Sequence, residues 1–358
     1  MLPALASVLN RLNASVERAA REHYWAAIAT VLAYVAAVNG VWHVPNHDYR
    51  DLAQRFFGAN TGGDYIQRDL LLPLLAHVLH ATAGGVFEAL CLLVLIGALL
   101  WLARGLRQIT APRIALLLFA VMVSHPVMTV LLSWLGMPDV FTFAASVVGL
   151  LAVAPGALGA TAALAIVNHP LAMFALPMIA GLRALGGDRI RGTQLVAVAA
   201  GLAVGTVALV LLLAHWGIAP ESRLGYSARV GIRGWIAEGT RVAPIAVWSM
   251  HGGAWPAIIV AAVALWPARR RYVIGFLAIT VVSCGLAFVS HDTTRILSLL
   301  TWAPAAHLLL TFARDEDETT LSRVLLVLTL LALASPRLYV WQGVVVSSPF
   351  GQPLRSLL

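Results

Sequence analysis

Uncharged apolar stretches recur along almost the whole chain, and they settle the fold class before any single residue is considered. Runs near the ~20 residues that cross a bilayer core cover residues 24–44, 86–103, 114–135, 140–154, 193–216, 243–267, 272–290, 296–313 and 321–335. Only 11% of the 358 residues are charged, where a soluble domain carries about 25%, and mean hydropathy is +0.85. The pattern predicts an all-α, polytopic membrane protein. Two further stretches are short for spans. Residues 70–80 are one, and 157–182 is interrupted by Asn168-His169-Pro170. A proline removes a helix hydrogen bond, so this second stretch is expected to be two short helices meeting at a polar elbow.

Arginine placement orients the set. All 24 basic residues are Arg. The groups Arg11/Arg18/Arg21, Arg104/Arg107/Arg113, Arg183/Arg189/Arg191, Arg269/Arg270/Arg271 and Arg314/Arg323 alternate correctly if all face the cytoplasm, which puts fourteen arginines inside and ten outside. The acidic run from Asp315 to Glu318 also lands inside, and acidic residues hardly steer topology. Counting the broken stretch as two spans gives about eleven, with the N-terminus cytoplasmic and the C-terminus external. Residues 1–23 then form a cytoplasmic amphipathic segment, 24–335 the transmembrane domain, and 336–358 an external tail. Residues 217–242, with Arg223, Arg229, Arg233 and Arg241 among Leu224, Tyr226, Val230, Ile232, Trp235 and Ile236, read as an amphipathic element on the outer surface. The basic charge restates cytoplasmic loops, so no nucleic-acid partner is expected. Cys91 and Cys284 fall in apolar spans and predict buried free thiols. The location this implies is a bacterial inner membrane.

Polar chemistry converges on the outer face. Asp48, Asp51, Asp64, Asp69, Asp139, Glu221, Glu238 and Asp292 fall there, with His43, His47, His169, His215, His251 and His291 near span ends. The first external loop, 45–69, is the densest, and charge held against a membrane span is costly and usually functional. A carboxylate here can act as general base toward a hydroxyl within hydrogen-bond reach. A polar, solvated connection is the plain alternative for any one of these aspartates. Asp139, after Gly136-Met137-Pro138, can equally be a helix N-cap. Asn168-His169-Pro170 marks either a polar cavity or a structural kink. Asp292 and Arg295 stand one helical turn apart and can simply pair; the functional alternative has Arg295 gripping a phosphate while Asp292 holds it. The histidines leave a divalent cation open as a cofactor. His77 and His80 share a helix face, yet no spacing matches a ligand motif such as His-Glu-x-x-His. Nucleotide loops and serine-nucleophile motifs are absent.

The order of these features resembles the GT-C superfamily of integral-membrane glycosyltransferases. The resemblance rests on a first external loop with Asp48, Tyr49 and Asp51, and on Tyr65, Arg68 and Asp69 running into the Leu-Pro-Leu-Leu segment around Pro73. Further on come the Gly136 to Asp139 step, the polar break at His169, and the Asp292 to Arg295 step heading a late span. The chain departs from that pattern where Asn168-His169 stands in place of an acidic residue, and it lacks the large soluble C-terminal domain of some members. The resemblance implies transfer of a sugar from a polyprenyl-phosphate or related lipid donor to a glycan, lipid or protein acceptor on the external face. It makes Asp48 the expected base and Asp51 the second candidate. Tyr65, Arg68, Asp69, Asp139, His169, Asp292 and Arg295 are then expected to bind substrate, with Arg241 a further phosphate contact. A transporter or flippase for an anionic lipid or solute is a competing reading, and so is a non-catalytic subunit of a glycan-assembly complex. Coupling groups of a transporter belong at mid-membrane depth, whereas the acids here crowd the outer rim.

Overall fold

The computed structural model describes residues 2–41, 48–56, 65–188, 190–218, 225, 231–290, 292–341 and 343–348. His43, His47, Asp64, Arg189, Glu221, Arg223, Leu224, Tyr226, Arg229, Val230 and His291, and the side chain of Tyr65, lie outside them, as does the chain from residue 349. Nearly every described element is a helix. Among the described residues, four helices are long and apolar enough to cross a membrane, or five if one bent pair counts as a single span.

Helix α1 (Leu2–Glu22) is the amphipathic N-terminal segment, and Arg113 ties it to the bundle through Glu17 at 2.7 Å, Asn13 and Ser322. Helix α2 (Tyr24–Asn39) follows, its Tyr24 hydroxyl donating to the Ala103 carbonyl at 2.7 Å. The first loop contains α3 (Asp48–Gln54), a 3-10 turn (Tyr65–Arg68) and the short α4 (Leu71–Val78). Helix α5 (Val86–Ile109) is a full-length span.

The stretch expected to be one span over 114–135 is instead broken. Helices α6 (Pro112–Val123) and α7 (Pro126–Ser133) meet at 59°. Pro126 has no N–H to continue the ladder, and it forces His125 into an extended conformation (φ −65, ψ 146). Helix α8 (Asp139–Leu151) leads to α9 (Pro155–Asn168) and α10 (Ala172–Leu185), which meet at the expected elbow with His169 extended (φ −160, ψ 133).

Helix α11 (Gly192–His215) packs on α9 at very short range through small residues. A Cβ on Gly201 would stand 2.1 Å from the Gly159 carbonyl oxygen, and one on Gly205 2.3 Å from that of Ala163. In a bilayer, where lipid is as apolar as Leu, such close backbone approach is a main source of helix association.

Of the outer amphipathic element, the described part is α12 (Ile232–Arg241). Helix α13 (Ala243–His251) and α14 (Trp255–Phe288) follow, and α14 divides into two arms at Arg269, shortly after Pro267, where φ/ψ leave the helical region. Helix α15 (Thr293–Asp315) is the central column: 89% of its most apolar window is buried, against 28% for the peripheral α11. Helix α16 (Glu318–Ala334) is the last.

Beyond it, where the sequence reading has only a tail, an antiparallel hairpin packs back onto the bundle. Its strands are β1 (Arg337–Trp341) and β2 (Val344–Ser348), with Tyr339 opposite Val346. The Val340 N–H donates to the Thr294 hydroxyl at 2.7 Å, and its side chain packs with Ala246, Met250 and Leu297. On the other face of β1, Arg337 reaches the Ser124 carbonyl at 2.6 Å and Tyr339 is hydrogen-bonded to the Trp134 side chain.

Candidate functional site

At one end of the bundle, five segments distant in sequence bring their polar side chains together. Gly136, with φ +102, provides the reversal between α7 and α8 that a residue bearing a Cβ resists. This places Asp139 as the first residue of α8, where its side chain does not cap the helix; Pro138 occupies the cap position. The carboxylate turns instead to Arg295 in the first turn of α15. Arg295 Nε meets one oxygen at 2.6 Å and Nη2 the other at 3.0 Å. Nη1 reaches Asp292 at 2.9 Å, one helical turn away, so the local pair read from the sequence is present together with the long-range one. Asp139 is 1% exposed and Arg295 9%. A charge this deep is tolerated only when paired and hydrogen-bonded.

The second half of the site comes from the first loop and the elbow. Helix α3 buries the stripe Tyr49, Leu52 and Ala53, and the Tyr49 hydroxyl donates to Asp69 at 2.7 Å. Asp69 is fully buried. His169 Nε2 stands 4.0 Å from the same carboxylate oxygen. The Leu171 N–H donates to His169 Nδ1 at 3.1 Å, so in the neutral ring the proton sits on Nε2, facing Asp69. The first loop, the elbow and the Asp139–Arg295 half are joined by three sets of contacts. The Leu70 N–H donates to the Val167 carbonyl at 3.0 Å. Asn168 donates to the Pro138 carbonyl at 2.8 Å and to Thr142 at 3.3 Å. Tyr49 lies within electrostatic reach of Arg295.

Asp69, Asp139, His169, Asp292 and Arg295 therefore belong to one polar group, and Arg68 stands half-buried next to Asp69 in the chain. Asp48 and Asp51 are both exposed on α3. Helical spacing puts Asp51 opposite the buried stripe and Asp48, one turn before Leu52, at its edge. Arg241 reaches the hairpin turn, donating to the Gly343 carbonyl at 3.2 Å. His77 is held by the Ala53 carbonyl at 2.8 Å. Among the described residues, no three His, Cys, Asp or Glu side chains group as metal ligands.

Two polar clusters lie elsewhere. At the break between α6 and α7, the Val127 N–H donates to His125 Nδ1 at 3.1 Å, and His125 Nε2 lies 2.9 Å from His251 Nδ1. With His125 Nδ1 accepting, its proton belongs on Nε2, directed at His251, and the proton of neutral His251 falls on Nε2, which is buried without an acceptor. Arg337 beside it leaves Nε and Nη2 similarly unmatched. His251, expected near an outer span end, is fully buried.

The opposite end of the bundle gathers the arginines assigned to the other side of the membrane. Asp188 receives Arg183 at 3.1 Å, His307 at 3.0 Å and Arg314 at 2.7 Å, while Arg269 pairs with Asp315 at 2.5 Å. Burial alone raises the Asp188 pKa. The hydrogen bond from His307 and the charge of Arg314 outweigh it and hold the carboxyl well below the usual carboxylate range.

A scan of protein-family models and searches of curated proteins and solved structures give no match to this chain.

Proposed function

We propose that this chain is a membrane glycosyltransferase of the GT-C kind. It moves a sugar from a polyprenyl-phosphate-type lipid donor to an acceptor hydroxyl on the extracytoplasmic face of a bacterial inner membrane. In this reading each apolar stretch of the sequence is one crossing, eleven in all, with the bent α6–α7 pair and the two arms of α14 counted accordingly. The observation that carries the proposal is the buried Asp139–Arg295–Asp292 group joined to Tyr49–Asp69–His169 at one end of an apolar bundle. Buried charge of this density is expensive beside lipid and usually functional.

The proposed division of labour uses these contacts. A guanidinium has five N–H donors. Asp139 takes two from Arg295 and Asp292 one, so two remain to stabilise the leaving phosphate, with Arg68 a second proposed phosphate contact. Asp69 is engaged by Tyr49 and Asp139 by Arg295, which makes both positioning groups. Asp48 remains the proposed base and Asp51 the second; both are exposed on α3, the helix whose Tyr49 reaches Asp69. The base takes the acceptor's hydroxyl proton, the oxygen attacks the anomeric carbon, and the phosphate departs with the bonding pair. Preorganised charge and positioning supply most of the acceleration.

The test supplies purified protein in lipid with labelled polyprenyl-phosphate sugars and an acceptor panel. Transfer is expected from the wild type and is reduced at least 100-fold in Asp48→Asn and in Arg295→Ala. Transfer untouched by both substitutions refutes the site. A second reading, an ion-coupled transporter, is favoured by the buried His125–His251 pair and Arg337, which stand away from the rim at the break in a span. It requires proton-dependent uptake by reconstituted vesicles that His125→Phe abolishes.

A further inference from the structure

The hairpin after α16 brings an aromatic pair to the edge of the charged site. Trp341, the last residue of β1, stands edge-on to Trp134 at the end of α7, with ring centroids 5.5 Å apart and planes at 82°. The Arg295 guanidinium carbon lies 5.9 Å from the centre of the Trp134 ring. Trp134 is nearly buried and hydrogen-bonded to Tyr339 two residues before Trp341, so strand alternation puts both aromatic residues of β1 on the face toward α7. The turn of the hairpin is held in turn by Arg241 at the Gly343 carbonyl. Trp134 is thus fixed from two sides, and Trp341 rests on it with 37% of its surface open.

An exposed indole packed on the tryptophan that the site's guanidinium overlies has a specific chemistry. The face of an aromatic ring carries negative charge density and attracts the slightly positive C–H groups along one side of a pyranose ring. The hydroxyls around that ring need acceptors and donors close by. Arg295, over the Trp134 ring, and its partner Asp292, with a quarter of its side chain exposed, are the polar groups this aromatic pair is connected to. An acyl chain on the same face would press apolar carbon against those charges. Trp and Tyr also collect at membrane interfaces as lipid anchors, but such an anchor needs no coupling to a buried ion pair.

We infer that Trp341, backed by Trp134, is the stacking platform for a pyranose ring at this site, and that the C-terminal hairpin is part of the substrate-binding machinery. This rests on the glycosyltransferase reading and names the part of the substrate that the hairpin recognises.

The test uses the full chain in lipid nanodiscs, free of sugar detergents, with methyl β-glucopyranoside, methyl β-galactopyranoside and methyl α-mannopyranoside. Saturation-transfer NMR with selective irradiation of aromatic protons is expected to mark the sugar protons of one ring face, H3 and H5 of the β-glucoside most strongly. Trp341→Ala should weaken binding about fivefold, and Trp341→Phe, which keeps a smaller ring face, about twofold, in line with the modest worth of one aromatic contact. Trp266→Phe, a change to an exposed tryptophan stacked with Arg270, should leave binding unchanged. Should Trp341→Ala fail to fold, the ranking wild type, Trp341→Phe, Trp341→Leu decides. Sugar saturation that is equal in all Trp341 variants overturns the inference, as does a Trp341 whose fluorescence responds to brominated lipid but not to glycosides. Sugar binding by Trp341 without transfer from any lipid-linked donor would uphold the platform and refute the transferase. Transfer with unchanged KM in Trp341→Ala would do the reverse.

Discussion

The Asp139–Arg295 contact is the interaction on which the candidate site depends most, and removing its partners singly and together isolates what it contributes. Both groups are buried, the pairing is bidentate at 2.6 and 3.0 Å, and Asp292 adds a third bond at 2.9 Å. Arg295→Met leaves Asp139 enclosed among Thr142, Asn168 and the α15 helix without a cation. Breaking one side of a buried pair costs about 3–5 kcal/mol, whereas replacing both partners with groups of similar volume is often close to neutral. Asp139→Leu strands Arg295 less severely, because Asp292 still holds Nη1, so about 2–3 kcal/mol is expected there. The double variant Asp139→Leu/Arg295→Met is expected to recover most of the loss, giving a coupling of about 2–3 kcal/mol or more between the positions. Reversible denaturant unfolding of the detergent-solubilised protein, followed by tryptophan fluorescence, measures all four corners of the cycle. If Arg295→Met unfolds at the wild-type midpoint, or if the double variant loses the sum of the two single losses, the pair carries no such energy. The argument that this end of the bundle is organised by buried charge would then fail.

At the α9–α11 contact, Gly201→Ala places a carbon 2.1 Å from the Gly159 carbonyl oxygen, and backbone cannot yield as a side chain does. A loss of about 1–3 kcal/mol is expected. Gly97→Ala in α5, where nothing lies within 4 Å of the added carbon, should be neutral or stabilise by about 0.5–1 kcal/mol; equal melting shifts for the two refute the close approach. Asp188→Asn should cost about 3 kcal/mol near neutral pH, because Arg183 and Arg314 lose their shared counter-ion. The Asp188 pKa is depressed in the fold, so its contribution is present above about pH 4, the unfolded value, and is lost as pH falls through the folded one. Acid titration of stability should therefore be shallower in Asp188→Asn, and an unchanged slope would remove the assignment. In the break between α6 and α7, His125→Phe removes the acceptor for the Val127 N–H and the donor to His251, at a cost of about 1–2 kcal/mol. His251→Phe exchanges one unsatisfied N–H, its own Nε2, for another, that of His125, and keeps the cap on Val127, so it should cost less; the opposite order of melting temperatures contradicts the proton placement derived above.

What the sequence made legible, and what it hid, divides by the range of the physics involved. Apolar run length is a local property set by bilayer thickness, so the helices, the elbow at His169 and the amphipathic α1 are readable one segment at a time. Position within a helix is local too, and the burial of Tyr49 with Leu52 and Ala53 follows from spacing, as does the exposure of Asp51 on the other face. A partner is not local. Asp292 with Arg295 is visible at three residues' separation, but Asp139 with Arg295 stands 156 residues apart, and only the packing of α8 against α15 chooses it over a helix cap. The same holds for Tyr49 on Asp69 and for His125 against His251. Pro126 was the available signal for the α6–α7 break: a proline preceded by Ser124 and His125 inside an apolar run repeats the logic that exposed the Asn168-His169-Pro170 elbow, yet the unbroken hydropathy on both sides concealed it. The hairpin was hidden for a related reason. Strand β1 buries Arg337, Tyr339 and Val340 on two faces at once, so the period-two alternation that marks a half-buried strand is missing. What remained looked like a tail, although its aromatic residues reach the charged end of the bundle.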